Sequence, residues 1–180
     1  MALLRDEAKR QNLIAESTAD DLWKRHILDS AQLLRVAPNT GTWADIGSGA
    51  GLPGIIVAIL SGNPVTLIEP RRLRADFLRR VREELRLSDV HVITGKVERV
   101  EGQFDIITAR AVAALDRLLG ITVHLAHQRT VWVLPKGRRV QEELGEAQRS
   151  WHYDLRAEPS CTDADSSILL LSNVKAKRKP

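Results

Sequence analysis

Apolar residues follow two rhythms along the 180 residues, and the change near residue 42 divides the chain. Before that point helical spacing prevails. Leu3 to Ile14 read as a short amphipathic helix. Ser17-Thr18-Ala19-Asp20 then offers a capping-box-like start for a second helix, carried by Leu22, Trp23, Ile27 and Leu34 and stopped before Pro38. From Thr42 short apolar runs alternate with helical stretches. Strands are expected at Thr42–Gly47, Val65–Glu69, Val90–Thr94, Phe104–Ala109 and Thr130–Leu134. Helices are expected through Ile55–Leu60, Arg71–Leu87, Ala113–Ala126 and Val140–Ser150. In the second of these, Leu73, Phe77, Val81 and Leu85 recur every four residues and predict a buried stripe. Two last strands, Tyr153–Ala157 and Ser167–Asn173, are joined by a loop and predict an antiparallel hairpin at one edge.

Strand-helix alternation of this kind predicts a Rossmann-like α/β fold: a mostly parallel, seven-stranded sheet covered on both faces, with an antiparallel edge. The length suits one domain over 1–180, with a helical N-terminal extension over 1–37 and a basic tail over 174–180.

Composition narrows the class. Hydrophobic residues make up 43% and charged ones 28%, values that exclude disorder of the whole chain. The longest apolar runs, such as Ile55–Leu60 and Ile168–Leu171, fall far short of a membrane span. The N-terminal residues lack the apolar stretch of a signal peptide, so a cytoplasmic protein is expected. Cys161 is the single cysteine, which rules out an internal disulfide; a buried or incidental thiol is expected. The net charge is +4, but Lys175, Lys177, Arg178 and Lys179 carry four positive charges in the last six residues. Without them 23 basic residues face 23 acidic ones, so phosphate affinity must come from local patches and the tail. No feature calls for an obligate partner, and a monomer is expected.

The first strand runs into Asp45-Ile46-Gly47-Ser48-Gly49-Ala50-Gly51. Glycines allow a tight turn and bring bare backbone amides close to a ligand, and Pro53 fits the first turn of the next helix. A dinucleotide fingerprint would need glycine where Leu52 stands, and a phosphate-cradling Walker loop would need a lysine that is missing. Gly-x-Gly-x-Gly after an acidic residue is the form typical of S-adenosylmethionine binding. Gly47, Gly49, Gly51 and Leu52 are therefore candidate cofactor contacts, with Asp45 near the cofactor's amino-acid end. A purely structural turn is the alternative. Glu69 closes the second strand about twenty residues later, where a carboxylate can accept both ribose hydroxyl hydrogens. The third strand's exit, with Val97 and Glu98, falls where an adenine edge would lie.

Three segments together resemble the glucose-inhibited division protein B family, bacterial 16S ribosomal RNA methyltransferases that make 7-methylguanosine. They are Arg25-His26-Ile27-Leu28-Asp29-Ser30, the loop Asp45–Gly54 with its Leu52-Pro53-Gly54 continuation, and Ala109-Arg110-Ala111. The resemblance covers roughly Asn12 to Asn173, although the N-terminal helical region is shorter than the family's usual one. It implies S-adenosyl-L-methionine as cofactor, with contacts at Gly47, Leu52, Val97, Glu98 and Arg110. It implies 16S ribosomal RNA, free or in small-subunit particles, as partner.

The chemistry of the target agrees with that implication. Methylating an exocyclic amine calls for a polar clamp after the fourth strand, where this chain has Thr108-Ala109-Arg110-Ala111. Methylating carbon 5 of a pyrimidine calls for a cysteine nucleophile, and Cys161 lies outside any Pro-Cys motif. The guanine 7-nitrogen presents a free lone pair and needs no base. Arg110 is then expected to position either the guanine's acceptor edge or the methionine carboxylate. Lys136, Arg138 and Arg139 form an expected RNA contact at the cleft mouth, and Arg71 and Arg72 a second that reads equally well as a solvated helix face. His26 and Asp29 are expected to tie their helix to the core. His124 and His127 lack further ligands, and no metal site is expected. A small-molecule methyltransferase and a non-catalytic nucleoside- or RNA-binding module are the other readings the residues leave open.

Overall fold

The computed structural model describes residues 2–8, 11 and 23–177. Seven strands form one sheet in the order β3-β2-β1-β4-β5-β7-β6. They are β1 (Trp43–Ile46), β2 (Val65–Glu69), β3 (Val90–Thr94), β4 (Phe104–Ala109), β5 (Ala126–Lys136), β6 (Trp151–Pro159) and β7 (Ser167–Ala176). β1 pairs in parallel with both β2 and β4, and β7 runs antiparallel to β5 and β6. The chain winds outward from β1 to β3, returns to β4 and winds the other way. This reversal opens a crevice above the carboxyl ends of β1 and β4.

Helices α3 (Gly54–Ser61) and α4 (Arg72–Glu84) cover one face, and α5 (Leu115–Thr122) and α6 (Val140–Ser150) belong to the other. Strand residues alternate between the two. Trp43, Leu67 and Ile106 pack with Val57, Phe77 and Leu78, whereas Ala44, Ile46 and Ile107 pack with Leu115, Leu118 and Leu144. Trp132 is buried whole, its indole N–H donating to Thr122 Oγ1 at 3.0 Å, so its bulk fills the second layer without an orphaned donor.

Ahead of β1 lie α1 (Ala2–Ala8) and a helical segment of changing pitch. It is π-helical at Trp23–Leu28, α-helical at Asp29–Ala31 (α2), and tightens to 3-10 form at Gln32–Arg35. Leu33 anchors it in the first layer. The expected capping box at Ser17–Asp20 and most of the helix Leu3 to Ile14 beyond Ala8 lie outside the described residues.

Several expectations are corrected. Leu73 and Leu85 do not join the buried stripe of α4; they are 71% and 43% exposed. A helix advances 100° per residue, so a spacing of four drifts about 40° each step and leaves the core face at both ends. Ala75, Phe77, Leu78 and Val81 form the buried face instead. The helix expected over Ala113–Ala126 is shorter: it spans Leu115–Thr122, tightens to a 3-10 turn at Val123–Leu125, and gives way to a longer β5 that begins at Ala126 opposite Phe104. The late strands form the expected antiparallel pair at one edge, with β7 next to β5 and β6 outermost. The supposed tail from 174 is strand to Ala176, and Lys177 then hydrogen-bonds the Gln148 carbonyl; Arg178 and Lys179 lie outside the described residues. Of the two states expected for Cys161, buried or incidental, its exposure leaves the second.

Candidate functional site

At the crevice the turn after β1 is forced by its own backbone. Gly47, Gly49 and Gly51 all have positive φ, at 65°, 54° and 84°, a region that L-residues with a Cβ occupy at a cost. Space adds a second restriction. A Cβ on Gly47 would lie 2.7 Å from Val112 Cγ2, and one on Gly51 would lie 2.7 Å from Ile55 Cγ1. Gly54, which starts α3, is as crowded: its Cβ would strike Leu67 and come within 2.7 Å of Asp45 Oδ2. Pro53, expected within the first helical turn, is the residue just before it.

Glu69 ties the loop to the next strand. Its Oε2 accepts from the Gly49 amide at 2.9 Å and its Oε1 from the Arg71 amide at 2.8 Å. Each carboxylate oxygen retains one further acceptor position, so the side chain can brace two loops and still accept hydroxyl hydrogens. Asp45 is fully enclosed. Its Oδ2 accepts from the Gly54 amide at 3.1 Å, and its Oδ1 has no partner among the described residues. Burial, opposed by the Gly54 hydrogen bond and the charge of Arg110, raises its pKa to about 7. Thr108, the register neighbour of Asp45 on β4, likewise has a buried hydroxyl without a partner. Orphaned acceptors of this kind belong to sites built for a ligand or a bound water. The residues thus fit a nucleoside with a charged amino-acid end: bare amides, a carboxylate at the second strand's tip and an acceptor at the loop's base.

Arg110 leaves the end of β4 and turns toward the helical segment. Its Nη1 donates to Asp29 Oδ2 at 3.4 Å and to the Arg25 carbonyl at 3.5 Å, and its Nη2 meets His26 Nδ1 at 3.4 Å. Ala111 follows at φ 56°, and this turn swings Val112 onto Gly47. Beyond Val112 lies a cavity of about 630 Å³, lined among others by Arg110, Val112, Pro135, Lys136, Arg139 and Glu146. Val112 is therefore the partition between the glycine loop and the cavity.

The other expected residues fall around this centre. Val97 and Glu98 form a 3-10 turn after β3, with Val97 buried and Glu98 exposed. Arg71 and Arg72 are exposed at the start of α4, where Arg72 sits 3.9 Å from Asp76. Lys136 is occupied: its Nζ donates to Glu143 Oε2 at 2.7 Å and to the Ala113 carbonyl at 3.3 Å. Glu143 Oε2 also takes the Leu115 amide at 3.0 Å, so the pair holds α5 to α6 and forms wall. Arg138 and Arg139 are exposed at the rim, Arg138 standing 4.0 Å from Asp165. His124 and His127 lie apart from the crevice; His127 Nε2 contacts Asp105 at 3.1 Å. The amide and hydroxyl of Thr42 are the main reason Asp105 titrates below its ordinary range. Among the described residues no group of His, Cys, Asp or Glu could hold a metal, and no helix is long and apolar enough to cross a membrane.

Sequence reasoning missed the polar cluster behind Arg110. Asp29 Oδ1 accepts from Thr162 Oγ1 at 2.7 Å and from Gln32 Nε2 at 2.8 Å. Gln32 and Thr162 are 130 residues apart, so no local spacing announces them. The expectation that His26 and Asp29 tie their helix to the core is met through Arg110 and Thr162, two partners that the sequence did not name.

Comparison with known proteins places this geometry. The model of the rRNA small subunit methyltransferase G family, GidB, matches residues 1–168. A ribosomal RNA small subunit methyltransferase G of Zymomonas mobilis is 44% identical, with 99% of this chain and 85% of that protein covered. The protein of that name from Rhizorhabdus wittichii is 45% identical at the same coverage of each chain. Among solved structures, the glycopeptide N-methyltransferase MtfA complexed with sinefungin superposes with a TM-score of 0.69 at 10% identity, covering 82% of this chain and 94% of that one. A TehB-like SAM-dependent methyltransferase from Corynebacterium glutamicum gives 0.64 at 16% identity, covering 95% and 98%. At such identities these two speak for the fold alone. With a family model spanning most of its length and relatives above 40% identity, the chain belongs to the rRNA small subunit methyltransferase G family.

Proposed function

We propose that this protein transfers a methyl group from S-adenosyl-L-methionine to the 7-nitrogen of a guanine in 16S ribosomal RNA. The observation that carries the reading is the pairing of family membership with the crevice above β1 and β4, where Glu69 locks the glycine loop open toward a nucleoside. The cofactor supplies an electrophilic methyl on a sulfonium; the protein's part is alignment and electrostatics. The backbone of Gly47, Gly49, Gly51 and Leu52 carries the nucleoside, Glu69 accepts from its ribose, and Val97 and Glu98 border its adenine. Arg110 provides a positive charge for the carboxylate of its amino acid, and the enclosed Asp45 fixes the base of the loop through the Gly54 amide. Val112 packs over Gly47 and separates the loop from the cavity that receives the base. A guanine 7-nitrogen attacks with its own lone pair, so the exit of β4 needs no base.

Arg138 and Arg139 at the rim, with Arg71 and Arg72 beyond the crevice, contact phosphates. Lys136 contributes mainly by holding the wall. The protein acts as a cytoplasmic monomer on free RNA or small-subunit particles.

The test is methyl transfer from labelled cofactor to small-subunit RNA, free and in particles, followed by nucleoside analysis. The expected product is 7-methylguanosine, lost with Gly49→Asp and Arg110→Ala. A different methylated nucleoside would refute the target, and activity unchanged by both substitutions would refute the site.

A further inference from the structure

We propose that Asp29 is a positioning residue for cofactor binding that acts through Arg110, and that Thr162 and Gln32 hold Asp29 for the task. The inference rests on the reading that Arg110 meets the cofactor's carboxylate. Three acceptors from a single stretch of helix, the Arg25 carbonyl, His26 Nδ1 and Asp29 Oδ2, lie 3.4–3.5 Å from the Arg110 terminal nitrogens. Only Asp29 among them carries a full negative charge. The side chains of Arg110 and Asp29 are 22% and 19% exposed, so solvent screens the pair little.

Asp29 is itself held rigidly. Oδ1 takes Thr162 Oγ1 at 2.7 Å and Gln32 Nε2 at 2.8 Å, which leaves Oδ2 turned to the arginine. Gln32 is only 2% exposed and is fixed at its other end, where Oε1 accepts the Cys161 amide at 2.9 Å. The connection between β6 and β7 therefore sets the carboxylate, and the carboxylate sets the guanidinium. An unheld arginine samples many rotamers and loses that freedom when a ligand arrives. One already aimed binds a carboxylate without the loss. The long contacts also leave Arg110 donors uncommitted.

Two ligands separate positioning from general support. S-adenosylhomocysteine has the amino-acid carboxylate; 5′-methylthioadenosine has the same nucleoside without it. Calorimetric titration of the full chain is expected to show Asp29→Asn weakening S-adenosylhomocysteine about tenfold, with 5′-methylthioadenosine unchanged within about twofold. Arg110→Ala should show the same selectivity, and the double variant should bind no worse than Arg110→Ala alone. Thr162→Val removes the support and not the charge, and should give a smaller selective loss, about threefold. It serves alone if Asp29→Asn does not fold. Equal weakening of both ligands, no weakening of either, or losses that multiply in the double variant would overturn the proposal. If Arg110→Ala leaves S-adenosylhomocysteine binding intact, the assignment of that arginine falls and the proposal with it. None of these readouts depends on RNA, so a failure to form 7-methylguanosine is a separate result.

Discussion

Replacing Asp45 by Asn should make the cofactor-free protein lose less stability than the natural one as pH rises from 4 to 8. The carboxyl has an ordinary value of 3.8 and stands at about 7 in the fold, chiefly because burial disfavours its charge. Between those values the folded state keeps a proton that the unfolded chain has released. Stability therefore falls as pH rises through this window and levels off above it. At about 1.36 kcal/mol per pH unit, the difference amounts to roughly 4 kcal/mol. Asn does not titrate, and its carbonyl oxygen can still accept the Gly54 amide that Asp45 Oδ2 takes at 3.1 Å. Its amide group adds a constant offset, which the pH dependence excludes. Urea unfolding of both proteins at several pH values from 4 to 8 measures the effect. With a slope of about 2 kcal/mol per molar urea, the variant's midpoint should gain about 2 M on the natural protein's across the range. Parallel midpoints, within about 0.5 kcal/mol at every pH, would mean that Asp45 is solvated and that the acceptor at the base of the loop is not enclosed.

Gly54→Ala should destabilise the fold by about 1–3 kcal/mol, because its methyl group meets Leu67 and lies 2.9 Å from Asp45 Cβ, two atoms of the packed layer. Thermal unfolding followed by circular dichroism should drop by several degrees, and an unchanged midpoint would show that α3 shifts freely. Glu69→Gln should weaken cofactor binding at least tenfold in calorimetry, since one of the two amides it braces then faces an NH₂ group. Unaltered affinity would remove Glu69 from the site. Arg138→Ala with Arg139→Ala should reduce the salt dependence of RNA binding, the log–log slope falling by about 0.7 for each phosphate that the protein no longer neutralises. An equal slope would move the RNA elsewhere on the surface.

Much of the fold was legible because its signals are local. β2, β3 and β4 appear at their expected limits, each a short apolar run bounded by turn or charged residues. The glycine loop was legible for the same reason: positive φ and close approach demand glycine at fixed intervals within a few residues. Glu69 could be found because the tip of a second strand lies at a nearly constant distance along the chain from the tip of the first. Leu73 misled because spacing shows a periodicity without its phase drift, and only the packed layer reveals which arc of α4 faces inward. The partner of Lys136 was not legible, because charge in a sequence carries no partner. Glu143, seven residues on, claims it through a helix whose placement depends on the sheet.

The sequence by itself determined the strand-helix alternation, the turn that needs bare backbone and the acidic tip beside it. Each rests on φ and ψ limits or on burial within one element. Tertiary structure alone decided the insertion of β7 between β5 and β6, the wall built by Lys136 and Glu143, the enclosure that raises the Asp45 pKa, and the cluster that aims Arg110. The wall needs a helix placed by the sheet, and the cluster joins Gln32 and Thr162, 130 positions apart. Their meeting follows from the closure of the whole core, and no local preference encodes it.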